Sequence, residues 1–237
     1  MNLITEDDFL TIENDRDKQS IIRYADGSRS VIPRRFFIAN WMDQEANFGT
    51  LHMGRAVTIG VGSAVKVDND KQALHMGRFI AMGERVRFTL NGQHPMKSMS
   101  TFNLACFGPG YKEGHVEQHA DMVFENDIWV ADEAMFLGGC HIANGTVIGA
   151  RSLVTGGFKT EPFGIYAGTP ARLIRFRMPE KVRELLLELA WWDQPMAWIK
   201  ANADRFAMDL TEDVGRSCEM LTELKNSVRR PPLRVAA

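Results

Sequence analysis

Val130-Ala131-Asp132-Glu133-Ala134-Met135, Phe136-Leu137-Gly138-Gly139-Cys140-His141, Ile142-Ala143-Asn144-Gly145-Thr146-Val147, Ile148-Gly149-Ala150-Arg151-Ser152-Leu153 and an opening Val154 read as consecutive hexads. A large apolar residue recurs every six positions, at Val130, Phe136, Ile142, Ile148 and Val154. A small one follows four places later, at Ala134, Cys140, Thr146 and Ser152. Neither a helical face nor an alternating strand has that period. A six-residue repeat predicts a mainly β protein built as a parallel β-helix with a triangular coil. Each side is one short strand, the large residue points into the prism, and the small one fits beside a corner.

The same period appears upstream, at Met53, Ile59 and Val65 and again at Met76, Met82 and Phe88. Leu51-His52-Met53-Gly54-Arg55 returns as Leu74-His75-Met76-Gly77-Arg78, 23 positions on, which is one coil of 18 plus five inserted residues. The second copy is therefore expected to stack on the first, with Val67-Asp68-Asn69-Asp70-Lys71 as a bulging corner. Hexads stop near Leu90 and resume at Ile128, so 91–127 is expected to leave the coil as an excursion loop. An insertion of that length in a compact repeat domain is usually functional.

Residues 1–50 lack hexads. Thr5 followed by Asp8 reads as a helix start, and Asp26-Gly27 between two apolar runs reads as a hairpin. Arg34-Arg35-Phe36-Phe37 and Trp41 fit a cap over the coil end, hiding its open strand edges, or equally a lining of the acceptor pocket. The coil is expected over 51–176. Pro179 then opens C-terminal helices over 177–228, the first with an apolar stripe at Val182, Leu185, Leu186, Leu189 and Trp192. A tail, 229–237, follows.

A net charge of -2 leaves no electrostatic footprint for nucleic acid. The acidic opening is unlike a basic secretory leader, and no apolar run has the length of a membrane span. The three cysteines, Cys106, Cys140 and Cys218, form no CxxC pair and fit reduced thiols in a cytoplasmic protein.

Three pieces together resemble the xenobiotic acetyltransferases, the hexapeptide-repeat group that includes chloramphenicol and streptogramin acetyltransferases. They are Phe88-Thr89-Leu90-Asn91-Gly92-Gln93-His94 with Ser100-Thr101-Phe102, then Asp127-Ile128-Trp129-Val130, then Tyr166-Ala167-Gly168-Thr169-Pro170-Ala171-Arg172 running on to Trp191-Trp192-Asp193. The resemblance covers roughly residues 51–200. It implies a left-handed coil, a homotrimer with active sites at subunit interfaces, acetyl-CoA as the acyl donor and a hydroxyl acceptor. Related enzymes of the group acetylate sugars and capsular polysaccharides as well as antibiotics.

Acetyl transfer from a thioester to an alcohol needs a base, oxyanion donors and a grip on the donor. An ordinary imidazole titrates near ~6.5 and accepts a proton at neutral pH, which makes His94, at the root of the excursion, the expected general base. Asn91, Phe102 and Tyr111 are the expected acceptor contacts. Backbone and small residues at Gly138, Gly139, Ala150 and Gly156 offer a wall for the pantetheine arm, with Thr169 beside it. Lys159, Arg172 and Arg175 can meet phosphates, with a solvated basic face an equal reading for Arg175, and Trp129 matches the family tryptophan near the active histidine.

No metal is expected. His115 and His119 would share a face only on a helix, which Gly108, Pro109, Gly110 and Gly114 oppose, and a catalytic zinc needs a third ligand. The rival readings are transfer to an amine of a nucleotide-linked amino sugar, a zinc-dependent carbonic anhydrase-like protein, and a structural module without catalysis. His52 and His75, at equivalent places in the copied pentapeptide, read as structural.

Overall fold

A computed structural model of the chain describes residues 2–5, 9–14, 19–39 and 46–228. The chain passes in turn through three sheets, each taking every third strand, so it winds as a three-sided parallel coil. The first sheet holds Asn2–Thr5, Thr50–Met53, Ala73–Met76, Met122–Phe124 and His141–Ile142. The second stacks Val57–Ile59, Ile80–Met82, Ile128–Val130, Val147–Ile148 and Gly164–Gly168 in parallel. The third holds Phe37–Ala39, Ala64–Val67, Arg87–Thr89, Met135–Leu137 and Leu153–Val154.

The hexads behave as their period demands. Val130, Phe136, Ile142, Ile148 and Val154 are wholly buried, and so are the small residues Ala134, Cys140 and Thr146. Phe88, Phe124 and Phe136 fill the prism, with Phe88 and Phe136 stacked at 5.4 Å between centroids. The copied pentapeptides lie in register, Leu51 on Leu74, His52 on His75 and Met53 on Met76. Residues 68–71 bulge at the corner, as expected.

Corners of the coil turn through the left-handed region. Ala56, Phe79, Asp127 and Phe163 (φ 57–60°) with Gly145 (φ 71°) form one stacked corner, and Gly62, Arg85, Glu133 and Arg151 form the next. A non-glycine residue there costs on the order of 1 kcal/mol. Side chains on neighbouring coils offset that cost: Glu133 accepts from Arg85 at 2.9 Å and from Arg151 at 2.7 Å.

Two boundaries differ from expectation. The coil resumes at Met122–Phe124, not at 128, because Phe124 already occupies the inward position above Met76. That offset is 48 residues, one coil of 18 and an insertion of 30, so the excursion ends at residue 121. The described part of residues 1–50 supplies a strand to every sheet. Asn2–Thr5 pairs with Thr50–Met53, Arg29–Pro33 with Val57–Ile59, and Phe37–Ala39 with Ala64–Val67.

The expected hairpin is present, Gln19–Tyr24 against Arg29–Pro33, and Phe9–Asn14 adds a further antiparallel strand at that end. Thr5 closes a strand; Glu6 to Asp8, the rest of the expected helix start, lie outside the described residues, as do Trp41 and 229–237.

After the coil, Ala171–Phe176 turns back antiparallel on Gly164–Gly168. Helices α1 (Glu180–Leu189), α2 (Met196–Ala201), α3 (Ala203–Phe206) and α4 (Val214–Ser227) follow. Val182, Leu186, Leu189 and Trp192 bury against Leu221 and Leu224 of α4 in a second core that includes Phe163 of the last coil. The copied arginines fasten this layer to the coil. Arg78 pairs with Asp193 at 2.8 Å, and Arg55 donates to the Gln194 carbonyl at 2.6 Å while pairing with Asp26 at 3.3 Å. Among the described residues, no helix is long and apolar enough to cross a membrane.

Candidate active site

The excursion leaves the third sheet after Leu90 and re-enters the first sheet at Met122, so both of its ends sit at one corner. Asn91, buried there, accepts from the Asp68 amide at 2.6 Å and donates to Gln72 at 3.0 Å and to Asn69 at 3.1 Å. Gln72, 4% exposed, donates in turn to the His119 carbonyl at 3.1 Å. One polar cluster therefore ties the start of the excursion, its end and the neighbouring bulge. Burial in this cluster pushes the Asp68 carboxyl above its ordinary range. Asn91, expected as an acceptor contact, has its amide engaged in this joint. Gln72 and Asn69 escaped the sequence reading; their signal was two polar residues beside a bulge that replaces part of a hexad.

His94 stands exposed at the mouth of a cleft of about 270 Å³. Its Nδ1 lies 2.8 Å from the Thr101 carbonyl oxygen. A carbonyl can only accept, so Nδ1 carries a proton, and in the neutral ring Nε2 is the nitrogen with the free lone pair. His115, Glu117 and His119 line the same cleft, with Leu137 and Gly156 of the coil behind them. Lys97 pairs with Glu117 across the loop and holds that carboxyl below the ordinary range.

Residues 111–121 take no helical form, which keeps His115 and His119 off a common helical face. Among the described residues, no three His, Cys, Asp or Glu side chains converge as metal ligands.

The small residues of the coil wall split into two groups. Gly138 and Gly156 lie under His119: a Cβ on Gly138 would come within 2.5 Å of the Leu90 carbonyl and 3.0 Å of His119 Cβ. Gly138 is therefore required by packing of the chain's own excursion. Gly139, in the left-handed region at φ 77°, and Lys159 neighbour this corner.

Ala150 and Thr169 lie at the corner on the other side of the third sheet, where the Thr169 hydroxyl donates to the Arg151 carbonyl at 3.4 Å. Arg172 follows on the returning strand, its guanidinium donating to the Ala171 carbonyl. Trp129, 56% exposed, points outward from the second sheet beside Ala81 and Val147. Within one chain, then, His94 and Trp129 face different ways. On the excursion itself Phe102 stacks on Phe107 at 5.5 Å and Tyr111 meets Phe107 edge-on at 5.7 Å, all three exposed.

A three-sided parallel coil that presents imidazoles in a cleft on an inserted loop has the parts of an acyltransferase of the hexapeptide-repeat class. Comparison with known proteins agrees: by sequence likeness the chain belongs to the xenobiotic acetyltransferase family. It is 35% identical over 126 residues to a probable macrolide acetyltransferase of Lysinibacillus sphaericus, a match covering 51% of this chain and 69% of that protein. Against a chloramphenicol acetyltransferase of Escherichia coli it is 33% identical over 138 residues, covering 56% and 65%. The chain thus spans about two thirds of the length of these relatives. A solved maltose O-acetyltransferase from Clostridium difficile is 19% identical, with a TM-score of 0.39, over 59% of this chain and 66% of that one. No family model matches the chain.

Proposed function

We propose that the protein is a cytoplasmic, acetyl-CoA-dependent O-acetyltransferase that acetylates a hydroxyl of a sugar, polysaccharide or xenobiotic acceptor, with His94 as general base. The observation that carries this reading is the Nδ1 contact to the Thr101 carbonyl, which fixes the tautomer whose Nε2 can take a proton. On this reading the acceptor hydroxyl gives its proton to Nε2 as its oxygen attacks the thioester carbon. The carbon–sulfur bond then breaks, and the imidazolium returns the proton to the leaving thiolate, giving free coenzyme A and the acetyl ester. Phe102 and Tyr111, exposed on the same loop, are the acceptor contacts.

The donor lies along the coil wall, against Gly139, Ala150, Gly156, Thr169 and Trp129, with Lys159 and Arg172 on its phosphates. These residues flank opposite sides of the third sheet in one chain. They form a single site when left-handed coils stand side by side about a three-fold axis, so that one chain's His94 faces the neighbour's Trp129. Light scattering at micromolar concentration then reports three chain masses; a monomer contradicts the shared site.

The test of activity is free-thiol release from acetyl-CoA across a panel of sugars, oligosaccharides, chloramphenicol and an amino-sugar nucleotide. Acceptor-dependent release with a hydroxyl-only acceptor supports the reading. Release with the amine alone moves the chemistry to nitrogen, and none at all removes the activity. Replacing Lys159 and Arg172 by alanine raises KM for acetyl-CoA and leaves kcat nearly intact, since such contacts bind ground and transition states alike.

A further inference from the structure

A second cleft lies away from His94. It holds about 570 Å³, within the usual range of small-molecule sites, and shares no lining residue with the histidine cleft. One wall is the outer face of the second sheet at the end of the coil, where Ile165 and Arg175 pair across the closing hairpin. The other is made by α1, α4 and the turn after α3.

Its floor is apolar. Leu186 and Leu189 of α1 meet Leu221 and Leu224 of α4, and Trp191 and Phe206 close one end edge-on at 5.1 Å. Met178, Met208 and Met220 also line it; thioether side chains adapt their shape to an apolar guest.

The charges on its rim are unequal in their commitments. Asp127 is neutralised by Arg177 at 3.0 Å, and Asp209 accepts from the Thr211 amide and hydroxyl at 2.7 and 2.6 Å. Arg205 donates to Asn202 at 3.0 Å and lies 3.8 Å from Glu223. Arg175 donates only to the Phe176 carbonyl, at 3.1 Å, and has no carboxylate partner among the described residues. The cleft thus joins an apolar floor to a polar rim on which the Arg175 guanidinium has no carboxylate partner among the described residues, a pairing that complements a guest with an apolar body and one negative head.

We infer that this cleft is a second binding site, for an amphipathic carboxylate: an acyl-chain body against the α1 and α4 leucines, with its head on Arg175. It shares no lining residue with the histidine cleft and gives Arg175, which the sequence also offered to the coenzyme phosphates, a different partner.

The test is calorimetric titration of the full chain with dodecanoate below its micellar concentration, with dodecylammonium as the charge-reversed control. Saturable binding of one dodecanoate per chain is expected, undiminished by His94→Ala and accompanied by a change in tryptophan emission that Trp191→Phe removes. Arg175→Glu, at an exposed position, should weaken it by about tenfold or more, the usual effect of losing a charge-assisted bond. Met208→Trp should block the cleft and abolish it; if that variant is unfolded by circular dichroism, Arg175→Glu decides alone. Absence of saturable binding, equal binding of dodecylammonium, or unchanged affinity in Arg175→Glu would each overturn the inference.

Discussion

Asn91 and His94, three positions apart in one motif, do different work. His94 faces the cleft, whereas Asn91 is 6% exposed and holds the Asp68 bulge and Gln72 to the root of the excursion. Asn91→Ala should therefore act on stability. It leaves the Asp68 amide and the Gln72 carbonyl unpaired in a buried place, at a cost of about 1–3 kcal/mol, read as a lowered midpoint in urea. A variant with wild-type stability and a raised acceptor KM would return Asn91 to the acceptor site. That His94 stands at the root of the excursion was legible from the break in the hexads. The asparagine was not, because no spacing reveals that a corner insertion and an excursion share one buried joint.

The cysteines carry a second prediction. Cys106 is exposed, whereas Cys140 lies inside the prism with its thiol pushed up to about 12 by burial, and Cys218 is buried in α4. A disulfide reagent should titrate one thiol quickly in the native protein and three in denaturant. Fast reaction of all three would contradict the packed prism.

At the level of elements, the repeat was readable because each coil imposes the same inward position, and the helical stripe because α1 buries Val182, Leu186 and Leu189 on one side. The strand Met122–Phe124 was missed although Phe124 stands six positions before Val130 and continues the same inward row. Asn2–Thr5 and Phe37–Ala39 escaped because the hairpin, which was read, interrupts the six-residue spacing before the coil.

The copied arginines make a prediction here. Arg55 is 8% exposed and serves Asp26 and two carbonyls of the Trp-Trp-Asp-Gln segment, whereas Asp193, the partner of Arg78, is about half exposed (47%). Arg55→Met should cost about 2–4 kcal/mol, since it strands partly buried partners. Arg78→Met should cost no more than about 1 kcal/mol, as for a solvated pair. Denaturant unfolding of both variants measures the difference. Equal costs would show that Arg55 does not anchor the helices.

At the scale of the whole molecule, the coil is a rigid wall and the chemistry is added to it by insertion. One insertion of five residues and one of 30 meet at a single corner, and the histidine cleft opens beside their joint. The central claim is that the imidazole so placed removes the acceptor's proton. The direct measurement is the turnover of His94→Ala in the thiol-release assay, together with its affinity for the coenzyme. Turnover should fall by about 10²–10⁴ with coenzyme affinity kept, and the loss of rate toward acid pH, present in the parent enzyme because only neutral imidazole accepts a proton, should vanish. Retention of more than about a third of parental turnover, far outside the range for losing a general base, would contradict the assignment.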